Sequence, residues 1–498
     1  MLSPRRWTLV ATILASSMTF IDATVVNVAL PALQADLHAT ITDVQWVIEA
    51  YALFLGALIL VGGALGDQFG RKRVFLAGVV FFTAASILCG VAASPRALIA
   101  GRALQGIGAA FLVPGSLAII SAAFGDAERG QAIGTWSAFS AITTAIGPVA
   151  GGWLIEHVSW RAVFFLNVPL AAIVVMLSLR FMDESRDPSR SPQIDWSGAA
   201  LAVLGLGGIV FGLLEWPNRG IRHPLVIGAL AAGMLSLVLL LVVERRASNP
   251  MLPLDLFRSR TFTLANVLTL LLYAALSVVL FLVPMNLIQV QHYSATAAGA
   301  ALLPFPIIMF ALSRWSGGLV ARVGRRVPLT AGPAIAALGL ALYARPGIGG
   351  SYWSTFFPAV VVLGFGMAIT VAPLTTTVMG AVETAHAGVA SGVNNAVARV
   401  AGLLAIAVFG VVLLRTFDAR VRPRLDRFAL TPTAKLEIDR ELPRMAGADV
   451  NAAPAIDRHQ RPGVRRAIDE AFVSAFRLVM ICAAALALAA AAVGAAIR

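Results

Sequence analysis

Apolar residues in this chain come in long, nearly unbroken runs rather than in the one-sided stripe of a soluble helix. The runs lie at about 7–30, 45–65, 74–93, 96–118, 131–155 and 162–181, then 196–214 and 225–243. Six more follow at about 262–286, 296–320, 328–344, 352–379, 388–414 and 471–497. Charge, or Pro, Gly and Asn, separates each run from the next. At about 20 residues per crossing, the pattern predicts fourteen membrane spans. A bilayer offers the backbone no water to bond, so the spans are helices and the expected fold class is all-α integral membrane. Arg5 and Arg6 precede the first run, as in a secretion signal. That run is too long for a signal core and a helix bundle follows it, so it reads as a retained span.

Composition agrees: 59% of the 498 residues are hydrophobic and 13% charged, against roughly 45–50% and about 25% in ordinary soluble chains. A net charge of +13 would fit a nucleic-acid binder, but its distribution says otherwise. With a cytoplasmic N-terminus, inner loops and tails hold 17 Lys/Arg and short outer loops hold five. The positive-inside rule then places both termini in the cytoplasm. The last outer loop, 415–470, carries 12 Lys/Arg against nine Asp/Glu and reads as a solvated, partly helical flap rather than a dedicated binding element.

Enzyme and metal chemistry find little footing. Cys89 and Cys482 lie in apolar runs, and the six histidines are scattered without metal-ligand spacing. Lys72 and Lys435 are the only lysines, and neither sits in a nucleotide-binding phosphate loop. The expectation is a non-enzyme without cofactor.

A repeat divides the chain. The turn after span two holds Gly63, Asp67, Gly70, Arg71, Lys72 and Arg73; the turn after span ten holds Gly317, Ala321, Gly324, Arg325 and Arg326. Each follows the second helix of a six-helix set, giving bundles over 1–182 and 258–498 with two inserted spans in 183–257. Paired halves around a central cavity are a common transporter plan.

Six pieces, in order, resemble the major facilitator superfamily and its fourteen-helix drug:proton antiporter branch. They are Ile21, Asp22, Thr24, Asn27 and Pro31 in span one; the Gly63 to Arg73 turn; Leu98, Arg102, Gln105, Gly106 and Gly108 in span four; Gly147, Pro148, Gly151 and Gly152 in span five; Trp160, Arg161, Asn167 and Pro169; and Gly388, Ser391, Asn394, Asn395 and Arg399. The resemblance implies an ion-driven exporter. It gives the Gly63 turn a gating role, with Gly63 and Gly70 allowing a tight reversal and close helix approach and Asp67 meeting the Arg71, Lys72 and Arg73 cations; a plain positive-inside loop is the alternative reading. Ala321 replaces the acid in the second copy, which implies asymmetric gating. Pro148 kinks span five, and the resemblance makes that glycine-rich surface a seal against leakage, where small-residue packing is the plainer reading.

Ionisable groups inside a bilayer are functional candidates by default. At 1.5 Å per residue, Asp22 lies about 12 Å, Glu49 about 7 Å and Arg102 about 9 Å from the outer ends of their spans. Shared depth predicts one proton-coupling site: Asp22 as carrier, Glu49 as auxiliary acid or cation ligand, Arg102 as charge partner. A structural Asp22–Arg102 ion pair and a merely hydrated Glu49 are the alternatives. Of the other arginines within spans, Arg314 and Arg399 lie in the second half and Arg477 in the last run. Candidate cavity residues are Trp46, Phe54, Trp136, Phe139, Tyr273, Asn286, Gln289, Asn394, Asn395 and Arg399.

The expected protein is thus a multidrug efflux antiporter in a bacterial inner membrane. It uses the proton gradient, acts as a monomer, and binds small amphipathic compounds, with cations favoured because Asp22 and Glu49 would compete for them with protons. A lipid or secondary-metabolite exporter is the second reading, and a non-transporting receptor the third.

Overall fold

The structure, a computed structural model, describes residues 3–186, 195–247, 250, 252–382 and 387–497. No strand occurs among them. The first half of the chain forms α1 (Pro4–Asp36), α2 (Ile41–Phe69), α3 (Arg71–Gly90), α4 (Pro95–Ala123), α5 (Asp126–His157), α6 (Ala162–Phe165) and α7 (Asn167–Phe181). Next come α8 (Trp196–Arg219) and α9 (Pro224–Arg246). The remainder forms α10 (Arg260–Met285), α11 (Ala295–Ala301), α12 (Pro304–Gly317), α13 (Leu319–Val323), α14 (Arg326–Leu342), α15 (Phe356–Met379), α16 (Ala387–Leu425), α17 (Pro432–Glu441) and α18 (Arg461–Ala495).

Every predicted run falls on helix. Twelve helical stretches among the described residues are long and apolar enough to cross a membrane, which makes this a multi-pass membrane protein. The run at 328–344 coincides with the shorter α14, and the run at 131–155 lies within the 32-residue α5. Helix ends follow local chemistry. Thr40 accepts the Asp43 amide while Asp43 accepts the Thr40 amide, a reciprocal cap that satisfies two orphan donors of α2. Pro304 opens α12, where its missing N–H costs nothing, and so divides the tenth run. Pro284 is followed by a π-helical turn at Asn286–Val290.

Within the first set, α1 packs on α5 and α7, and α4 on α2 and α3. Within the last set, α10 packs on α16 and α18, and α15 on α12 and α14. The two sets meet along α2–α16 and α5–α11. The α8–α9 pair attaches through α8 to α2 and α16, and α9 buries only Val226, Gly233 and Glu244. Helices α2 and α16 run antiparallel: Gln45 donates to the Ile406 carbonyl (3.3 Å), Gly56 faces Arg399, and Leu60 faces Gly392. The 63–73 turn therefore shares one end of the bundle with the start of α1 and the end of α18. Thr8 and Lys72 mark that end, donating to the adjacent carbonyls of Phe181 and Met182.

The opposite end carries the flap between α16 and α18, and it is not the solvated loop its charge predicts. Leu430, Ala434, Ile438, Leu442, Met445 and Ile456 are buried in the same apolar cluster as α1 and α10. Leu430, Ala434, Ile438 and Leu442 are four residues apart, the spacing of one helical face, so the charges point outward. The Gln34 amide donates to the Arg444 carbonyl (3.2 Å), and Gln289 donates to the Gln34 side-chain oxygen (2.7 Å). Arg465 reaches the carbonyls of Gln289, Ala446 and Ala448 at 2.7–2.9 Å. Met445 is fully buried with φ 55° and ψ −122°, a conformation a non-glycine residue holds only under constraint. A Cβ on Gly447 would come within 2.9 Å of the Gln34 and Gln289 amides. Gly447→Val is therefore expected to displace these amides and loosen the flap by about 0.5–1.5 kcal/mol, the worth of a hydrogen bond, read as faster tryptic cleavage between residues 427 and 461.

Candidate functional site

Asp22 and Arg102 meet, as predicted, inside the first helix set. Both are 1% exposed. Arg102 Nη1 donates to Asp22 Oδ2 (2.5 Å) and to Gln105 Oε1 (2.7 Å), and its Nε donates to the Val47 carbonyl (3.1 Å). The Gln105 amide donates to Asp22 Oδ1 (2.8 Å), so both carboxylate oxygens are occupied. The guanidinium also lies 4.3 Å from the centre of the Tyr51 ring, in cation–π range. Gln105 and Asn167 both donate to Ser86, whose hydroxyl donates to the Phe164 carbonyl. Six helices, α1 to α4 with α6 and α7, thus converge on one polar network in which the carboxylate and the guanidinium are both hydrogen-bonded, the condition under which a buried charge pair is tolerated.

Glu49 does not join it. The residue is fully buried, and among the described residues neither carboxyl oxygen has a hydrogen-bond partner. Val47 and Tyr51, one helical turn apart, face Arg102; Glu49 lies between them in sequence and so about 200° around the helix from Val47. Its face of α2 carries Thr42, which accepts from Asn218 of α8; Gln45, bonded to Ile406 of α16; and Leu53, packed with Leu206 and Leu403. Shared depth gave three residues one site; helical phase separates Glu49 toward α8 and α16.

Among the described residues, the Gly63 turn is tied to the segment that follows α7. Asp67 binds Arg71 (2.9 Å), the Lys72 ammonium donates to the Met182 carbonyl (2.6 Å), and Arg73 lies 3.7 Å from Glu184. Gly70 has φ 111°, and a Cβ there would strike the Glu184 carboxyl, so glycine is required. The close approach assigned to Gly63 belongs to its neighbour. A Cβ on Gly63 would stand 3.7 Å from Pro114, whereas one on Gly62 would collide with the Ala110 carbonyl.

The span-five motif joins two helices. Cβ atoms on Gly147 and Gly151 would run into Thr24 and Val25 of α1, and one on Gly152 would meet the Ala295 carbonyl of α11. Gly299 of α11 in turn lies directly against the Pro148 carbonyl. Beside this contact, a cavity of about 900 Å³ opens between α1, α5, α10 and α12. Ala23, Thr24, Asn27 and Val28 form its α1 wall; Thr144, Ala145 and Pro148 its α5 wall; Leu276, Val279, Leu280 and Pro284 its α10 wall.

None of the ten predicted cavity residues lines it, because each has other work in the fold. Trp46 packs against Phe211, and Phe54 joins the cluster of Leu206 and Leu403. Trp136 donates to Ser16 (2.9 Å), and Phe139 borders a separate groove of about 500 Å³ with Arg6 and Glu128. Tyr273 packs against the core. Asn286 accepts from Gln291, Gln289 holds the flap, Asn394 donates to Asn266 and Thr269, and Asn395 to the Ser391 carbonyl. Arg399 faces Gly56 across the α2–α16 contact, and Arg477 donates to the carbonyls of Arg345 and Pro346. The Arg314 side chain falls outside the described residues, and Gly388 lies in the first turn of α16. Of the other motif residues, Trp160 and Arg161 both donate to Asp36, fastening the end of α1.

The sequence profile of the Major Facilitator Superfamily matches residues 12–406. The chain belongs to the major facilitator superfamily. Within that superfamily it is 34% identical over 489 residues to the multidrug resistance protein Stp of Mycobacterium tuberculosis (strain CDC 1551 / Oshkosh), covering 96% of this chain and 89% of the relative. It is 33% identical to the tetracenomycin C resistance and export protein of Streptomyces glaucescens over 98% of this chain and 91% of the relative. Among solved structures, a bacterial homolog of the human lysosomal transporter Spinster, in an inward-facing and occupied conformation, aligns with a TM-score of 0.68 at 17% identity. That alignment covers 99% of this chain and 97% of the other and shows a shared fold.

Proposed function

We propose that this superfamily member is a proton-driven exporter of amphipathic compounds, acting as a monomer by alternating access in a bacterial plasma membrane with both termini in the cytoplasm. In this reading fourteen helices cross the bilayer: six from 1–182, the inserted pair of 183–257, and six from 258–498. The relatives named for multidrug resistance and for tetracenomycin C export support efflux as the direction of work.

One observation carries the mechanism: α1 holds Asp22 in the buried pair and, on the adjoining turn, forms a wall of the cavity. A proton arriving at Asp22 Oδ2 from the outer side neutralises the carboxylate and releases Arg102, which keeps its bonds to Gln105 and Val47. The ion pair then no longer fixes α1 to α4, the Gln105 bond to Asp22 Oδ1 is left as the weaker neutral tie, and α1 moves the cavity wall with it more easily. Release of the proton to the cytoplasm restores the pair. Glu49, buried without a partner, is a second place where a proton or cation would offset desolvation, on the face that meets the inserted helices.

The test is uptake of fluorescent dyes into proteoliposomes under an imposed pH gradient. Wild type is expected to accumulate dye only with the gradient. Asp22→Asn should fall to the level of empty vesicles while eluting as a folded monomer. Full gradient-driven transport by Asp22→Asn would overturn the assignment. Export confined to one lipid or secondary metabolite would favour a dedicated exporter, the second reading to which the export-named relative lends support.

A further inference from the structure

The cavity says something about the charge of its cargo. Its described lining is Ala, Val, Leu, Met, Phe, Pro and Gly, interrupted by the neutral polar side chains of Thr24, Asn27, Thr144, Ser313 and Tyr343. No Asp, Glu, Lys, Arg or His is among these lining residues. The two carboxyls that a cation would seek are turned elsewhere. Asp22 stands next to the lining residue Ala23, but Arg102 and Gln105 occupy its oxygens and it is 1% exposed. Glu49 lies on α2, which contributes no residue to the described lining.

A cation that gives up its water in such a space finds hydrogen-bond acceptors and no opposing charge, and desolvating an unpaired charge is far more costly than desolvating a hydrogen-bonded neutral group. Resting on the antiport reading above, we propose that the cavity takes neutral, largely apolar molecules with one or two hydrogen-bonding groups. Asn27 and Thr24 on one wall and Ser313 on another bond those groups. The sequence expectation of a cationic preference is reversed because the acids that motivated it do not reach the cavity.

Neutral cargo has an electrical consequence. When a neutral molecule leaves and a proton enters, each proton carries one uncompensated charge across the membrane. The membrane potential then adds to the drive, by about 50-fold in the attainable gradient per proton for each 100 mV. A monovalent cation exchanged one for one with a proton moves no net charge.

The experiment uses the full chain and two probes on one aromatic scaffold, a neutral dye and the same dye bearing a trimethylammonium group. In detergent, the neutral dye is expected to bind at least about tenfold more tightly. In proteoliposomes at a fixed pH gradient, a potassium diffusion potential should increase transport of the neutral dye. Asn27→Asp, which adds a carboxylate at nearly constant volume, should invert the binding preference; Ser313→Asp supplies the charge from another wall if the first variant fails to fold. Equal or tighter binding of the cation by wild type overturns the proposal, as does transport of the neutral dye that ignores the potential, or binding of neither dye. Binding that favours the neutral dye without any gradient-driven transport would leave the neutral cavity standing and sink the antiport reading instead.

Discussion

Arg102→Ala is expected to abolish gradient-driven transport and to lower stability by about 3–5 kcal/mol, the usual consequence of stranding one member of a buried ion pair. The loss has identifiable parts. Asp22 Oδ2 loses its cationic partner, the Val47 carbonyl loses a donor, and Tyr51 loses the cation over its ring. Arg102→Lys should recover little, since one ammonium cannot reproduce a fork that reaches Val47, Asp22 and Gln105 together. Adding Asp22→Asn to Arg102→Ala removes the stranded charge, so the double variant should be more stable than Arg102→Ala alone and still fail to couple to protons. Thermal unfolding in detergent gives the stability cycle, and proteoliposome uptake gives the coupling. An unchanged melting temperature for Arg102→Ala would mean that the pair does not hold the helices together.

Gly152→Val should have the largest conformational effect. A Cβ there meets the Ala295 carbonyl of α11, and backbone cannot step aside as a flexible side chain can. Overpacking of this kind costs about 1–3 kcal/mol, which amounts to roughly 5–150-fold in a two-state equilibrium. The cost falls on the state in which α5 and α11 touch, so the flap end should open. Spin labels at the exposed Val158 and Trp353 would report a longer distance in the variant. Gly228→Val serves as the control, because a Cβ on Gly228 of α9 meets nothing within 4 Å. An unchanged distance in Gly152→Val would show that the α5–α11 contact is not the closure.

Helix positions were legible because membrane helices announce themselves through length and apolarity, and the Asp22–Arg102 pairing was legible because buried charges need partners. Depth along an axis can be counted from sequence, but the direction a side chain faces depends on which neighbours surround the helix. That is why Glu49 was grouped with a pair it does not touch. The cavity walls were illegible for another reason: Leu280, Met309 and Ala145 differ in no chemical way from residues that face lipid. Aromatic and amide residues are the chemically distinctive ones in these spans, and the fold uses them as packing and hydrogen-bond anchors. The flap core, by contrast, was readable: Leu430, Ala434, Ile438 and Leu442 recur every four residues, a signal masked by the surrounding charge.

The flap's attachments are unequal, and this gives the exit a handedness. It is spliced between α16 and α18, and its Arg465 bond to Gln289 lies wholly on the side of the later helices. Gln34 is the tie to α1. In the alternating-access cycle proposed above, the hydrogen bonds that part when the halves separate are those of Gln34, while the flap stays bonded through Arg465 to Gln289. The flap is thus a door hung on one post, and the proposed cycle predicts that cargo leaves on the α1 side, near the Asp36–Trp160–Arg161 corner.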